Sequence, residues 1–396
     1  MKLLHTSDWH VGKTIRGHSR APEHEAVLSE IVSLAGEHSV DLVIVAGDLF
    51  ETATPTAEAE SLVYRTLLQL LDTGAHVAVI SGNHDNARRL RAVAPVFEAL
   101  GRIHLVTEPT RPDDGGVIRL SMAGGEEVRL AMLPFVSKRG VVRAADLMEA
   151  AAYENTQAYA DRIRLLIETL TAEFGTDTVN ILAAHAFVYG GQLGGGERAA
   201  HFIDEYAVSA QSFPVTASYV ALGHVHRPQR IAGAAPIHYC GSPLQLDFGE
   251  EDQQKQVNLV EIEPGVPPVV TPLPISGGRA LRTLRGTVAE LEKLADRSDD
   301  PWLRVVVNEP RRAGLADEVR ELLGERVVDV RMDDPAPQRK QRATRSGRAP
   351  TELFDEFLTE RNIDDERVRA MFAELLDAEL ASDSESLNEP LSERVP

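Results

Sequence analysis

The chain has 396 residues, of which 43% are hydrophobic and 26% charged, a composition typical of a globular protein with more than one domain. A single cysteine, Cys240, excludes a disulfide framework and an all-cysteine zinc site, so metal ligands must come from His, Asp, Glu and Asn. The net charge of −20 argues against coating nucleic acid by bulk charge, and no apolar run suits a membrane span or signal peptide, which predicts a cytoplasmic protein.

The first part of the chain alternates short apolar runs with amphipathic segments, which is the pattern of an α/β domain. Five runs rich in Val, Ile and Leu are predicted to be buried strands: Lys2–Thr6, Asp41–Ala46, His76–Ile80, Val179–Ala184 and Tyr219–Leu222. Helical spacing predicts three helices, around Val27–Ala35, around Leu62–Leu71 and over Leu147–Phe174. Two later runs are expected to continue the sheet in antiparallel fashion: Ile237–Cys240 and Val257–Ile262.

Composition divides the rest of the chain. Five prolines between Pro264 and Pro274 predict a domain boundary, and residues 279–332 have the strand–helix–strand–helix–strand pattern of a small α/β domain. Two apolar stripes predict amphipathic helices that either bind a partner or pack on the large domain: Leu353, Phe354, Phe357 and Leu358, then Val368, Met371, Phe372, Leu375 and Leu376. The predicted parts are therefore residues 1–274, the small domain 275–334, a basic linker 335–350, a helical segment 351–380 and a disordered acidic tail 381–396.

Polar residues follow each of the five predicted strands: Asp8 and His10, Asp48, Asn83 and His84, His185, and His224 and His226. The carboxyl ends of strands in an open α/β sheet converge on one crevice, so these side chains are expected to meet. Glycines at positions 47, 82 and 223 leave room for close backbone approach. With His84 set aside, the donors suit two cations such as Mn²⁺ or Zn²⁺. Asp48 is the carboxylate left to bridge them, because Asp8 and His10 can both reach one ion.

Each of these residues also has a plainer interpretation. An isolated histidine is more often an ordinary residue than a ligand, and one Gly-Asn-His-Asp sequence could be a simple turn. Five such elements, each at the end of a strand, favour a metal centre. The Gly-rich segment Gly190–Gly196 lacks the spacing of a dinucleotide site or a P-loop, so it is either a mobile active-site flap or a surface loop.

Taken together, these motifs resemble the calcineurin-like metallophosphoesterases, whose signature is Asp-x-His, Gly-Asp, Gly-Asn-His-Asp, a lone His after a strand, and Gly-His-x-His. The opening M-K-L-L-H-T-S-D-W-H, the A-G-D-L-F-E and G-N-H-D sequences and the Y-C-G-S-P-L-Q-L-D-F segment are similar to the SbcD family of bacterial nuclease subunits. The resemblance covers residues 1–380. It implies a metallophosphoesterase β-sandwich flanked by helices, with a small α/β capping domain and C-terminal helices.

The resemblance also implies a ligand set. One ion would be held by Asp8, His10, Asp48 and His226, and the other by Asp48, Asn83, His185 and His224, with Mn²⁺ as the expected metal. His84 would not bind metal but would act on the scissile phosphate. Archaeal and eukaryotic relatives tend to carry a further histidine after Gly-Asp-Leu-Phe, where this chain has Glu51.

The function implied by the resemblance is a DNA nuclease of repair and recombination. It would combine 3′–5′ exonuclease activity on double-stranded DNA with endonuclease activity on single strands and hairpins. It would act as a homodimer within a heterotetramer with the coiled-coil ATPase SbcC, which would bind the C-terminal helices and supply the ATP site that this chain lacks. Six arginines of the small domain either contact DNA or are ordinary surface residues: Arg279, Arg282, Arg285, Arg304, Arg311 and Arg312.

Two other functions are compatible with parts of the pattern. A small-molecule phosphodiesterase or phosphatase would share the metal centre, but it would not need the small domain, basic linker and helical segment that follow Pro274. A non-catalytic scaffold would tolerate the loss of metal ligands, whereas every motif position is filled here. The sequence therefore favours the nuclease.

Overall fold

A computed structural model describes residues 1–137, 152–197, 207–294, 300–333, 350–361, 363 and 365–372. The chain divides into two compact units, residues 1–334 and 335–396. The predicted basic linker, apart from Pro350, and the predicted acidic tail lie outside the described residues, as do residues 147–151 of the third predicted helix.

The strands of the first unit that have three or more residues are numbered in chain order. They are β1 (Lys2–Thr6), β2 (Leu42–Ala46), β3 (His76–Ile80), β4 (Ile103–Val106), β5 (Val117–Ser121), β6 (Glu127–Leu133), β7 (Val179–His185), β8 (Tyr219–Gly223), β9 (Gln229–Ile231), β10 (Ile237–Tyr239), β11 (Gln256–Glu261), β12 (Val269–Pro274), β13 (Leu281–Gly286), β14 (Trp302–Val307) and β15 (Val327–Met332). The helices are α1 (Ala21–Glu37), α2 (Ala57–Asp72), α3 (Ala87–Leu100), α4 (Ala152–Leu170), α5 (Val288–Glu292) and α6 (Leu315–Leu323).

Two six-stranded sheets form the large domain. Their strand orders are β12-β11-β1-β2-β3-β4 and β9-β10-β8-β7-β6-β5. Apolar side chains of both sheets share one buried cluster, in which Leu42 and Ile44 of β2 join Ile181 and Ala183 of β7. Burial of large apolar side chains stabilises such a layer by roughly 1.5–3 kcal/mol each. The large domain is therefore the β-sandwich that the resemblance implies.

The five strands that precede the polar motifs are divided between these sheets. Strands β1, β2 and β3 are parallel neighbours in the first sheet, and β7 and β8 are parallel neighbours in the second. The expectation of one open sheet was wrong, because each sheet buries one face against the other. The prediction of antiparallel strands holds for β11, which pairs with β1, whereas β10 pairs in parallel with β8 and in antiparallel fashion with β9.

Helices cover the outer faces of the sandwich. Residues Val27 and Ile31 of α1 and Leu67 of α2 pack with Val43 and Val45 on the outer face of the first sheet. Helix α4 covers the second sheet with a separate cluster that includes Tyr159, Ile163 and Ile167. Both clusters show the helical spacing from which the helices were predicted.

The proline-rich segment contains a strand. β12 pairs with β11 in antiparallel fashion at the edge of the first sheet, and it carries Pro272 and Pro274. An edge strand accommodates proline because one side of its backbone has no ladder partner. The chain then enters a three-stranded parallel sheet, β13-β14-β15, on which α5 and α6 pack through a core that includes Leu291, Val305 and Val319.

A buried ion pair of the large domain accepts a hydrogen bond from the small sheet. Arg20 is fully buried and its Nη2 lies 2.5 Å from Oε2 of Glu23. Trp302 Nε1, at the start of β14, donates to Glu23 Oε1 at 2.7 Å. Beside these contacts, Phe248 and Leu281 share a small apolar cluster. The small domain is therefore anchored through both polar and apolar contacts.

The second unit contains helix α7 (Pro350–Glu360) and a helical segment at residues 366–372. The rings of Phe354 and Phe372 stack with centroids 3.8 Å apart and planes inclined by 11°. Phe357 is 47% exposed and Met371 is 56% exposed. The two helical segments therefore contact each other through part of the predicted stripes, and other members of the stripes face solvent. None of the helices in the described part of the chain is long and apolar enough to span a membrane.

Candidate metal centre

Unusual backbone conformations mark the loops that follow the strands. Of the described residues other than glycine, six have positive φ, and four of those are Asp8 (52°), His10 (46°), Asp48 (52°) and His224 (99°). Left-handed conformations are strained for such residues and persist where the surrounding structure requires them. The loops after β1 and β2 are joined by four backbone hydrogen bonds, among them those from Asp8 N to Gly47 O and from His10 N to Asp48 O, both 3.0 Å.

Glycines permit close contact between these loops. A methyl group at position 82 would overlap the carboxylate of Asp48, and one at position 223 would overlap the carbonyl oxygen of Ala46. Only glycine therefore fits at Gly82 and Gly223 without displacing the strand ends. The close approach that the sequence predicted at these two positions is confirmed.

The Asp48 carboxylate is buried between histidines of the two sheets. Its Oδ2 lies 3.5 Å from Nε2 of His10 and 3.4 Å from Nε2 of His185. Its Oδ1 accepts a hydrogen bond from the backbone N of His84 at 2.9 Å. Asp48 thus lies between histidines of the two groups, which is the position that a carboxylate bridging two metal ions needs.

His10 and His226 face each other beside Asp8. Their Nε2 atoms are 3.1 Å apart. Each ring has its Nδ1 next to a carboxylate, Glu51 for His10 at 3.0 Å and Glu250 for His226 at 2.9 Å. The ring protons therefore lie on Nδ1, so two Nε2 lone pairs meet, an arrangement that a cation satisfies. Asp8 completes this group, with its carboxylate fixed by Ser7 Oγ at 2.6 Å.

A second group surrounds Asn83. Its Oδ1 lies 2.7 Å from His224 Nδ1 and 3.0 Å from His185 Nε2, and these two ring atoms are 3.2 Å apart. His185 Nδ1 donates to the carbonyl oxygen of Ala46 at 2.8 Å, which leaves its Nε2 as the lone-pair atom. Phe135 stacks on the His224 ring, with centroids 5.9 Å apart. This group uses Nε2 of one histidine and Nδ1 of the other.

These residues fit metal ions by the chemistry of their donors. In the described residues, three groups have ligand atoms within 4.8 Å of one another: Asp8, His10 and His226; Asp48, His185 and His224; and His10, Asp48 and His84. Imidazole nitrogens combined with carboxylate and amide oxygens suit borderline to hard divalent cations. The structure thus brings together all seven predicted ligands, and it places His84 against them.

The His84 ring contacts both the backbone of Glu51 and the ring of His10. Its Nδ1 donates to the carbonyl oxygen of Glu51 at 2.8 Å, and its ring meets His10 edge to face at 4.7 Å between centroids. Its side chain is half-buried, whereas Asp8, His10, Asp48, His185, His224 and His226 are buried. His84 and Asn83 are thus the partly exposed members of this set.

Charge coupling between Asp48 and His185 keeps that carboxyl group ionised and that imidazole protonated without metal. Burial would raise the pKa of Asp48, but His185, His84 and His10 outweigh burial and hold it well below its usual range. Burial likewise opposes protonation of His185, yet the Asp48 carboxylate raises its pKa to about 9. Metal binding at His185 would therefore release a proton.

Four acidic residues beside the site were not predicted from the sequence: Glu51, Asp85, Glu197 and Glu250. Glu51 and Glu250 hold histidine rings as described above. Asp85 accepts hydrogen bonds from the backbone N atoms of Gly82, Leu49 and Phe50 at 2.9, 3.2 and 3.0 Å, so it joins the loops after β2 and β3. Burial, followed by the Asp48 charge, raises the pKa of Asp85 to about 6. The sequence feature that could have indicated Asp85 is its position at the end of the Gly-Asn-His-Asp motif.

The Gly-rich segment lies directly beside His226. The Glu197 carboxylate accepts from the backbone N atoms of Gly194, Gly195 and His226 at 2.6, 2.7 and 3.0 Å. Gln253 Nε2 donates to Gly194 O at 2.7 Å. The segment is thus hydrogen-bonded to the metal centre in this structure, which favours a place at the site over an ordinary surface loop.

Comparison with known proteins agrees with this geometry. Residues 1–228 match the calcineurin-like phosphoesterase family, and residues 278–362 match the family described as type 5 capsule protein repressor C-terminal domain. The SbcD subunit of nuclease SbcCD from Bacillus subtilis (strain 168) is 37% identical over 286 residues, which is 71% of each chain. The chain belongs to the calcineurin-like phosphoesterase family, in its SbcD branch.

Other members of the SbcD branch align over a longer range. The SbcD subunit from Escherichia coli (strain K12) is 32% identical over 324 residues, or 78% of each chain. The Rhodobacter capsulatus protein of the same name is 31% identical over 336 residues, which is 78% of this chain and 81% of that one. The resemblance of the sequence motifs to the SbcD family is therefore confirmed.

Proposed function

We propose that the protein is a two-metal-dependent DNA phosphodiesterase, with 3′–5′ exonuclease activity on double-stranded DNA and endonuclease activity on single strands and hairpins. The observation that supports this most directly is the position of Asp48 between His10 and His185. A carboxylate between two histidine groups is what a pair of cations needs as a bridge. The relatives, which are named as SbcD subunits of nuclease SbcCD, support DNA as the substrate.

In this proposal, Asp8, His10, Asp48 and His226 hold one ion, and Asp48, Asn83, His185 and His224 hold the other. Mn²⁺ is the proposed metal. When bound, a pair of divalent cations supplies Lewis-acid stabilisation of the phosphate and lowers the pKa of the attacking water. His84 binds the scissile phosphate: its Nδ1 donates to Glu51 O, which fixes the ring and presents Nε2 to a phosphate oxygen or the leaving oxygen.

The presence of the small domain and the second unit favours a nuclease over a small-molecule phosphatase. Among the arginines proposed to contact DNA, Arg279 and Arg304 have structural partners: Arg279 stacks on Trp302 and pairs with Asp300 at 2.9 Å, and Arg304 pairs with Asp329 at 3.2 Å. Arg285 is exposed. We propose Arg285 as a better candidate for a phosphate contact than Arg304.

The proposed partner is the SbcC ATPase, in a heterotetramer that contains two copies of this chain. Exposed apolar side chains on the helical segments of the second unit, Phe357 and Met371, suit a helix or coiled coil. We place this assembly in the cytoplasm, acting on the nucleoid in repair, recombination and replication.

The test is a cleavage assay on the full chain with Mn²⁺, Mg²⁺ or Zn²⁺. The substrates are linear duplex DNA, a DNA hairpin and bis(p-nitrophenyl) phosphate, each with and without SbcC and ATP. We expect Mn²⁺-dependent cleavage of duplex ends and hairpins, with duplex cleavage increased by SbcC. Turnover of the small diester alone would favour the small-molecule enzyme, and metal binding without turnover of any substrate would favour the scaffold; either result would contradict the proposal.

A further inference from the structure

Beneath the metal centre lies a buried ion pair whose two members both contact one histidine. Glu250 and Lys255 contact each other at 2.7 Å, with side chains 0% and 5% exposed. Glu250 Oε1 lies 2.9 Å from Nδ1 of His226, and Lys255 Nζ donates to the backbone carbonyl oxygen of the same residue at 3.0 Å. The ring and the backbone of His226 are therefore held by the two halves of one pair.

We propose that Glu250 is the positioning residue that makes His226 an Nε2 ligand. This inference rests on the proposed ligand set. A neutral imidazole carries one proton, and a carboxylate beside Nδ1 keeps that proton on Nδ1. The lone pair then lies on Nε2, which faces Nε2 of His10 at 3.1 Å. Without the carboxylate, the ring could adopt the other tautomer and lose its donor toward the metal.

Lys255 stabilises the Glu250 carboxylate in its buried position. A buried carboxylate without a partner is strongly disfavoured, and a paired one with hydrogen bonds is tolerated. Besides Glu250, Lys255 Nζ donates to Ser242 Oγ at 2.9 Å and to Gln253 Oε1 at 3.1 Å. The Lys255 ammonium group, 2.7 Å away, therefore balances the charge of the buried Glu250 carboxylate.

The same arrangement recurs on the facing histidine. Glu51 Oε2 lies 3.0 Å from Nδ1 of His10, and Lys13 Nζ lies 2.8 Å from Glu51 Oε1. The Glu51 side chain is 15% exposed, in contrast to the fully buried Glu250. In the other ligand group, His185 is oriented by a backbone carbonyl instead. Carboxylate–lysine support is thus shared by His10 and His226, whereas His185 is held by a backbone carbonyl.

Glu250 also makes a contact unrelated to His226, and the test must distinguish the effect of losing that contact from the effect on metal binding. Its Oε2 accepts from the backbone N of Leu246 at 3.0 Å, so it helps to shape the turn before the short 3-10 helix Phe248–Glu250. A purely structural role would lower stability without changing the affinity of folded molecules for metal. A positioning role changes that affinity.

The experiment measures Mn²⁺ binding to the full chain by isothermal titration calorimetry and elemental analysis, with circular dichroism to verify folding. Glu250→Gln is compared with the wild type, with His226→Gln and with the control Ser242→Ala, which alters the same network without removing a side-chain contact to His226. We expect two ions in the wild type and one in His226→Gln. Glu250→Gln should weaken one ion by about 10–100-fold, and Ser242→Ala should bind as the wild type does.

The outcomes separate the inference from the proposed function. If Glu250→Gln folds and binds both ions with wild-type affinity, the inference is wrong. If the wild type binds fewer than two ions, or His226→Gln keeps two, the ligand set itself is wrong. Should Glu250→Gln fail to fold, ¹⁵N-histidine NMR of the metal-free wild type decides, at a pH where the His226 ring carries a single proton: that proton on Nδ1 supports the inference, and on Nε2 it overturns the inference.

Discussion

Asp48 and His185 belong to different sheets, yet Asp48 Oδ2 lies 3.4 Å from His185 Nε2. Asp48 follows β2 of the first sheet, and His185 ends β7 of the second. The metal centre therefore depends on the packing of one sheet against the other. The apolar layer between the sheets, which includes Ile44 and Ala183, is what sets this distance.

His84 should separate chemistry from metal binding. In His84→Gln, we expect both ions and DNA affinity to be retained, while cleavage falls by about 10²–10³-fold because one donor to the transition state is lost. Elemental analysis and single-turnover cleavage of duplex DNA measure the two effects. Loss of a metal ion from this variant, or cleavage near the wild-type rate, would show that the assigned role is wrong.

The joint between the two domains should depend on Glu23. Glu23→Ala leaves the fully buried Arg20 with backbone oxygens of Gln245 and Arg279 but without its carboxylate partner, so we expect a loss of about 3–5 kcal/mol in the free energy of unfolding. Trp302→Phe removes the hydrogen bond from the indole to Glu23 and keeps a smaller ring beneath Arg279, so it should cost about 1 kcal/mol plus a small packing loss. Urea unfolding measures both. Equal effects of the two variants would argue against a dominant role for the ion pair.

Buried neutral histidines should make the protein less stable in acid. Burial, followed by His238, lowers the pKa of His5 from 6.5 to about 3. The unfolded state therefore binds more protons than the folded state between these values, so stability from His5 is complete above the unfolded pKa and falls as the pH decreases toward the folded pKa.

As the pH is lowered from about 5.5 to about 4, the free energy of unfolding should decrease less steeply in His5→Gln than in the wild type. The expected difference in slope is about 1.4 kcal/mol per pH unit. Urea unfolding of the metal-free proteins across this range measures the difference. Parallel pH profiles for the two proteins would contradict it.

The exposed part of the C-terminal stripes should bind the partner. Phe354 and Phe372 stack on each other, so replacing either would disturb the second unit itself. Phe357→Glu combined with Met371→Glu changes exposed side chains instead. We expect this variant to keep Mn²⁺-dependent cleavage and to lose co-purification with SbcC. Thr359→Glu, an exposed position on the same helix, is the matched control and should still co-purify. Retained binding by the double variant would place the partner site elsewhere.

Local patterns in the sequence were sufficient for the elements that position the site. Leu42–Ala46 is buried along its whole length, and such strands show as continuous apolar runs. Several strands were not predicted: Ile103–Val106, Val117–Ser121, Glu127–Leu133, Gln229–Ile231 and Val269–Pro274. The last of them lies at a sheet edge and contains prolines, which usually indicate a boundary. The division of the motif strands between two sheets could not be predicted either, since an apolar run indicates that a strand is buried but not which strands are its neighbours.

For the candidate metal centre, the sequence predicted the residues that the structure brings together but not those behind them. Asp8 and His10, or Asn83 and His84, are adjacent motifs at strand ends, so they stand out locally. Glu250 is different, because nothing in its sequence neighbourhood distinguishes it from Glu251. Its contact with His226 arises only when the turn at residues 247–250 folds against the end of β8.

The central claim is that Asp48 bridges two metal ions, and the metal content of Asp48→Ala tests it most directly. Wild type and variant are loaded with Mn²⁺, freed of excess metal and analysed by inductively coupled plasma mass spectrometry, with circular dichroism to verify that the variant is folded. We expect two ions per chain in the wild type, and in the variant neither ion bound and no DNA cleavage. Two ions still bound to folded Asp48→Ala would contradict the account.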